Sequence, residues 1–124
     1  MTLELQTLHQ ALEAVKQYCG EQNLSQKDCF HLNLVCEELV VNLLRYTGTD
    51  RFGLSLHPAG NATEMMIRYK GGQFDPTRPQ KPRQKSVEEM QYGGLGLVLV
   101  NALASEIEYH YDKKQSQNVI KIIL

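Results

Sequence analysis

What the chain has little of narrows its chemistry first. Only 3 of its 124 residues are cysteine, at positions 19, 29 and 36. Their number is odd, no Cys-x-x-Cys spacing occurs and all fall within helical apolar patterns. Neither a disulfide framework nor a zinc site is indicated, and Cys19, Cys29 and Cys36 are expected as reduced, half-buried thiols. Basic charge is not in surplus either, since 13 Lys and Arg face 14 Asp and Glu for a formal net charge of -1. With no excess positive field to draw it onto phosphate backbones, the chain is not expected to bind nucleic acid directly.

Long apolar runs are also missing. The longest, Leu95 to Ala104, is broken by Gly96 and Asn101, far short of the ~20 residues that cross a bilayer. No basic start leads into an apolar run, so no signal peptide is read, and a cytoplasmic protein without membrane contact is expected. His9, His31, His57 and His110 share no ligand spacing. Proline numbers only 4 and hydrophobic residues make up 42%, which excludes a fibrous or disordered class. One domain over residues 1–124 is expected, burying roughly 65% of the surface of the unfolded chain.

The apolar spacing orders the elements. Leu3 and Leu5 alternate with polar neighbours as a short strand, and Thr7 with Gln10 offers a capping box. Leu8, Leu12, Val15 and Cys19 then share a helical face. Ser25, with Asp28 three residues on, opens a second helix from Gln26 to about Tyr46, mostly buried through Phe30, Leu34, Cys36, Leu39, Val40 and Leu43. Phe52, Leu54 and Leu56, then Met65, Ile67 and Tyr69, alternate as a hairpin around Pro58 to Asn61. From Lys70 to Gln91 the chain is polar and holds three prolines, a long loop of the functional kind. A helix from Leu97 to Ala104 and two strands, Glu106 to Asp112 and Asn118 to Leu124, complete the series. That order does not alternate as in a parallel doubly wound sheet. It predicts a two-layer α/β (α+β) sandwich, its mixed, mostly antiparallel sheet covered on one face by helices.

Three places carry candidate chemistry. Glu38 and Asn42 are four apart on a helix, with a rise of about 6 Å between them, and their oxygens suit a hard cation. Such a pair alone is more often a solvated helix face, but here Leu39, Val40, Val41, Leu43 and Leu44 surround it, as in a lined cavity. Gly93, Gly94 and Gly96 precede a helix, where free amides at the positive end suit phosphate; a tight loop-to-helix turn explains them equally. Gly71-Gly72 after a strand is a weaker signal of the same kind. Lys81, Arg83 and Lys85 could meet phosphates or an acidic partner, or simply be solvated.

Taken in order, these stretches resemble a known family. Glu37-Glu38-Leu39-Val40-Val41-Asn42 resembles the asparagine box of the histidine-kinase-type (Bergerat) ATPase domains. Gly71-Gly72-Gln73-Phe74-Asp75-Pro76 looks like their first glycine box, and Gly93-Gly94-Leu95-Gly96-Leu97 like their second. The Phe-Asp-Pro and Gly-Gly-Leu-Gly-Leu segments are similar to the bacterial anti-sigma-factor serine kinases. The resemblance implies ATP and magnesium as cofactors, with Asn42 on the metal and Glu38 as general base towards a serine hydroxyl of a partner. It implies Gly71, Gly93, Gly94 and Gly96 around the nucleotide and Gln73 to Tyr92 as a lid. The implied partner is a sigma factor or a STAS-type anti-sigma antagonist; pairing with a second copy stays open.

The pattern is broken in three places. Where the family has an Asp that accepts a hydrogen bond from the adenine amino group, this chain has Tyr69, whose phenol cannot reproduce a carboxylate. Tyr46 stands four after the Asn in place of a His, and Gln117-Asn118 replaces the Gly-Thr that often opens the last strand. Two readings follow: a serine kinase of an anti-sigma antagonist, and a degenerate module of the same fold that has lost ATP and keeps protein recognition. A piece of a sensor kinase is a third, disfavoured because no phospho-acceptor helix precedes the domain.

Overall fold

The computed structural model describes residues 1–77 and 96–124. Strand β1 (Thr2–Leu5) leads into α1 (Leu8–Glu21) and α2 (Gln26–Thr47), then β2 (Phe52–Ala59) and β3 (Ala62–Lys70). A helix over 96–103, here α3, follows, and β4 (Glu106–Asp112) and β5 (Gln117–Ile123) close the chain.

Local chemistry sets the ends of these elements. Thr7 caps α1 by accepting from the Gln10 amide at 3.1 Å, while the Gln10 side chain accepts from the Thr7 amide at 3.2 Å. Such reciprocal bonding satisfies two amides that the first turn leaves open. Ser25 caps α2 at 3.1 Å from the Asp28 amide. That helix stops where Gly48 turns left-handed at φ 64°, a conformation that costs glycine little. The β2–β3 turn is tighter than the sequence suggests: Pro58 and Ala59 stay paired with Thr63 and Ala62, so only Gly60 and Asn61 connect the strands, Gly60 at φ 63°. Pro58 is tolerated because it lies near the strand's end.

The sheet runs β1-β2-β3-β5-β4, and all four pairings are antiparallel, which resolves the expected mixed sheet. Thr63, Met65, Ile67 and Tyr69 alternate inward along β3, as do Asn118, Ile120 and Ile122 along β5. These side chains meet Val15 and Tyr18 of α1 and Val35, Leu39 and Leu43 of α2 in one core. Each fully buried aliphatic or aromatic side chain there stabilises the fold by about 1.5–3 kcal/mol.

One expectation from the sequence is overturned. Cys19 and Cys29 are joined as a disulfide with their Cα atoms 5.7 Å apart, and only Cys36 is a free, buried thiol. Spacing along the chain gave no hint of the pair, because the turn between α1 and α2 brings the end of one helix beside the start of the next.

Candidate functional site

Glu38, Asn42 and Tyr46 succeed one another at four-residue steps, so they form one stripe about 12 Å long on α2. A different element meets each end of it. At the Glu38 end lies the start of α3: a Cβ built on Gly96 would overlap the Glu38 carboxyl group. Only glycine lets the two come so close. At the other end Tyr46 stacks on Phe74, with ring centroids 5.8 Å apart. Asn42 lies between them, 5% exposed and one of four polar side chains buried among the described residues.

Burial raises the Glu38 carboxyl above the ordinary carboxylate range, and the neighbouring Glu37 charge adds to the shift. The folded state therefore holds this proton more firmly than the unfolded chain does. The stabilising contribution is complete below the ordinary carboxylate pKa and fades as pH rises through the raised one. Gly96→Ala is expected to turn the flexible Glu38 side chain outward into water and bring its titration back towards the ordinary range, with the fold intact. A carbon-detected NMR titration of Glu38 in both proteins checks this, and an unchanged midpoint would show that α3 is not the source of the shift.

At the Phe74 end the chain ties itself down. The Phe74 amide donates to the Tyr109 hydroxyl at 3.1 Å and to the Asn118 side-chain oxygen at 3.0 Å. That oxygen also accepts from the Tyr109 hydroxyl, while the Asn118 amide nitrogen donates to the carbonyls of Tyr69 at 3.4 Å and Gly72 at 3.1 Å. Asn118 is fully buried. The ring of Tyr69 is buried on the face of β3 that carries Ile67, and its hydroxyl donates to the Phe74 carbonyl. Burial, the Tyr109 hydroxyl and the Asp75 carboxylate all disfavour its ionisation, so it stays a neutral donor. Asp75 accepts from the amide and hydroxyl of Thr77 at 2.9 and 2.5 Å, and Pro76 is buried.

Of the segment Gln73 to Tyr92, implied as a lid by the resemblance, residues 73–77 are described. Phe74, Asp75 and Thr77 are held by hydrogen bonds and, for Phe74, ring stacking; positions 78–92 lie outside the described residues, as do Gly93 and Gly94. Glu38 and Gly96 are brought into contact, and Asn42 shares the stripe with Glu38. Gly71, at φ 131°, faces the β4–β5 hairpin instead: its amide donates to the Ser116 carbonyl at 2.9 Å and its carbonyl accepts from the Tyr111 hydroxyl at 3.2 Å.

These residues fit the cofactors implied by the resemblance unequally. Glu38 and Asn42 offer two hard oxygen donors, which suit magnesium if phosphate and water supply its other ligands. Among the described residues no group of three or more His, Cys, Asp or Glu could hold a metal ion. The adenine end does not fit, because Tyr69 presents no carboxylate and its hydroxyl proton is committed to Phe74. The four-way role of Asn118 was missed from sequence. It stood out there only as a departure from Gly-Thr, although a polar residue at an inward strand position was the available signal.

Among the described residues no helix is long and apolar enough to cross a membrane. A chain in the crystal structure of the SiaB–SiaC complex from Pseudomonas aeruginosa superposes with a TM-score of 0.73 at 9% identity, over 100% of this chain and 88% of that one. At that identity the likeness is one of fold. No curated protein matches the sequence. The model of the histidine kinase-like ATPase domain matches residues 1–124, and with the sandwich and the Glu38–Asn42 helix described above, the chain belongs to the histidine kinase-like ATPase family.

Proposed function

We propose that this chain is an anti-sigma-type regulatory domain that works by binding a partner protein, without using ATP. The observation that supports this reading is the cluster of Tyr46, Phe74 and Tyr69, whose rings and hydrogen bonds gather around the position at which the resemblance implies adenine recognition. Opening that end means breaking the Tyr69 bond and the Tyr46 stack before any base can enter, a cost that is subtracted from nucleotide affinity. The fold is shared with a chain crystallised in a two-protein complex, which supports a protein partner. A STAS-type anti-sigma antagonist is the partner that best fits the boxes read from the sequence.

One observation favours the kinase reading. Glu38 is packed on Gly96 with its carboxyl pushed up, the condition that improves a carboxylate as general base near neutral pH, and Asn42 is one turn away for magnesium. In that reading Glu38 takes the proton of a partner serine hydroxyl. Titration calorimetry with ATP and magnesium separates the two. No heat up to millimolar nucleotide, with antagonist binding unaffected by ATP, supports the binding module. Micromolar binding, followed by phosphate transfer to an antagonist serine that is lost in Glu38→Gln, establishes the kinase.

A further inference from the structure

Neither reading uses the cysteines, and two of them have been brought together far from Glu38 and Asn42. Cys19 lies in the last turns of α1, 7% exposed, and Cys29 in the second turn of α2, half-buried. Their Cα atoms, 5.7 Å apart, lie within the range a disulfide spans. The junction between them is set independently of the sulfurs. The Leu24 amide donates to the Cys19 carbonyl at 3.0 Å, Asn23 turns left-handed at φ 53°, and Ser25 caps α2. The packing of α1 on α2 through Ala11, Val15, Leu32 and Val35 is likewise independent of it. The two thiols of the reduced protein would thus still face each other.

Access is one-sided. Cys29 lines an open groove of about 410 Å³ between the helices, together with Lys16, Phe30 and Asn33. Phe30 at its rim is 63% exposed, and the groove is open to solvent. Lys16 and Glu13 both line this groove, so charges of both signs stand near Cys29. Cys36, further along the same helix, is fully buried and its thiol is pushed up to about 12, so it does not compete for the bond.

We propose that Cys19 and Cys29 form a reversible thiol–disulfide site, oxidised and reduced through the α1–α2 groove by low-molecular-weight disulfides and thiols. The Cys29 thiolate attacks a small disulfide RSSR, forming a mixed disulfide and releasing RS⁻. The Cys19 thiolate then attacks the Cys29 sulfur and expels the second RS⁻. Two electrons and two protons pass from the protein to the two RSH molecules, and two small thiols reverse the exchange. Because the bond closes only a short loop and lies about 13 Å along α2 from Glu38, its effect falls on the stability of the helix pair.

The test equilibrates the whole protein in buffers of oxidised and reduced glutathione, quenches with iodoacetamide and maps the peptides by mass spectrometry. The expected result is a single Cys19–Cys29 bond that forms and disappears with the glutathione ratio while Cys36 stays free. Oxidised protein should melt roughly 5–10 °C above reduced protein. Cys29→Ser should abolish that difference and Cys36→Ser should keep it. Cys19 and Cys29 both alkylated across the whole series would overturn the proposal, as would a glutathione adduct stable on Cys29 beside a free Cys19. Equal melting of the two redox forms would remove the stabilising role.

Discussion

Asn118→Ala is expected to cost about 3 kcal/mol or more of folding stability. One fully buried amide serves four partners: it accepts from the Phe74 amide and the Tyr109 hydroxyl, and donates to the carbonyls of Tyr69 and Gly72. Alanine removes all of these at once and fills none of the space. The Phe74 amide keeps the Tyr109 hydroxyl, but each buried group left without a partner costs about 1–3 kcal/mol, less where water enters, so the total stays below the full sum. For a chain of this size the melting temperature should fall by roughly 10 °C. Tyr109→Phe removes one hydroxyl from the same network and should cost about 1 kcal/mol. Thermal and urea unfolding of the three proteins checks both values. A loss near 1 kcal/mol for Asn118→Ala would mean that water replaces the amide and that the network does not hold the loop.

The second large effect concerns nucleotide. Tyr69→Asp is expected to raise affinity for ATP with magnesium roughly ten- to a hundredfold, since a hydrogen bond to a charged group is worth about 1.5–3 kcal/mol. The substitution supplies the carboxylate that the resemblance implies for the adenine amino group and removes the ring together with its bond to Phe74. It also exposes part of the core. Tyr69 is 2% exposed, and losing so large a buried ring costs about 3–5 kcal/mol, so the variant must be shown to be folded before it is titrated. Tyr69→Phe is the control. It drops the hydroxyl and its bond to Phe74 but creates no acceptor, so its gain in ATP affinity should be far smaller than that of Tyr69→Asp. Equal affinity of the natural protein and folded Tyr69→Asp would show that Tyr69 is not what limits binding, and tight binding by the natural protein would remove the basis of the binding-module reading.

Both substitutions act on the same short segment. Phe74 is the link: its amide is held by Asn118 and Tyr109, its carbonyl by Tyr69 and its ring by Tyr46. A partner or ligand that displaced Phe74 would disturb the end of α2, the end of β3 and the start of β5 together.

The sequence by itself determined the element order, the helix caps at Thr7 and Ser25, the inward alternation of Met65, Ile67 and Tyr69, and the pairing of Glu38 with Asn42 on one helix. These depend on neighbours within a few residues, where side-chain periodicity and capping chemistry act directly. The tertiary structure alone decided that Gly96 presses on Glu38, that Asn118 gathers Phe74, Tyr109, Tyr69 and Gly72, and that Cys19 meets Cys29. Each of these contacts joins residues on separate elements, and its geometry follows from how α1, α2 and the sheet pack. A glycine read from sequence as freedom for a phosphate loop is, at position 96, also the absence of a side chain that Glu38 needs. Three cysteines that looked unpaired by number and spacing became one bond and one buried thiol, because the turn after Glu21 brings the end of α1 beside the start of α2.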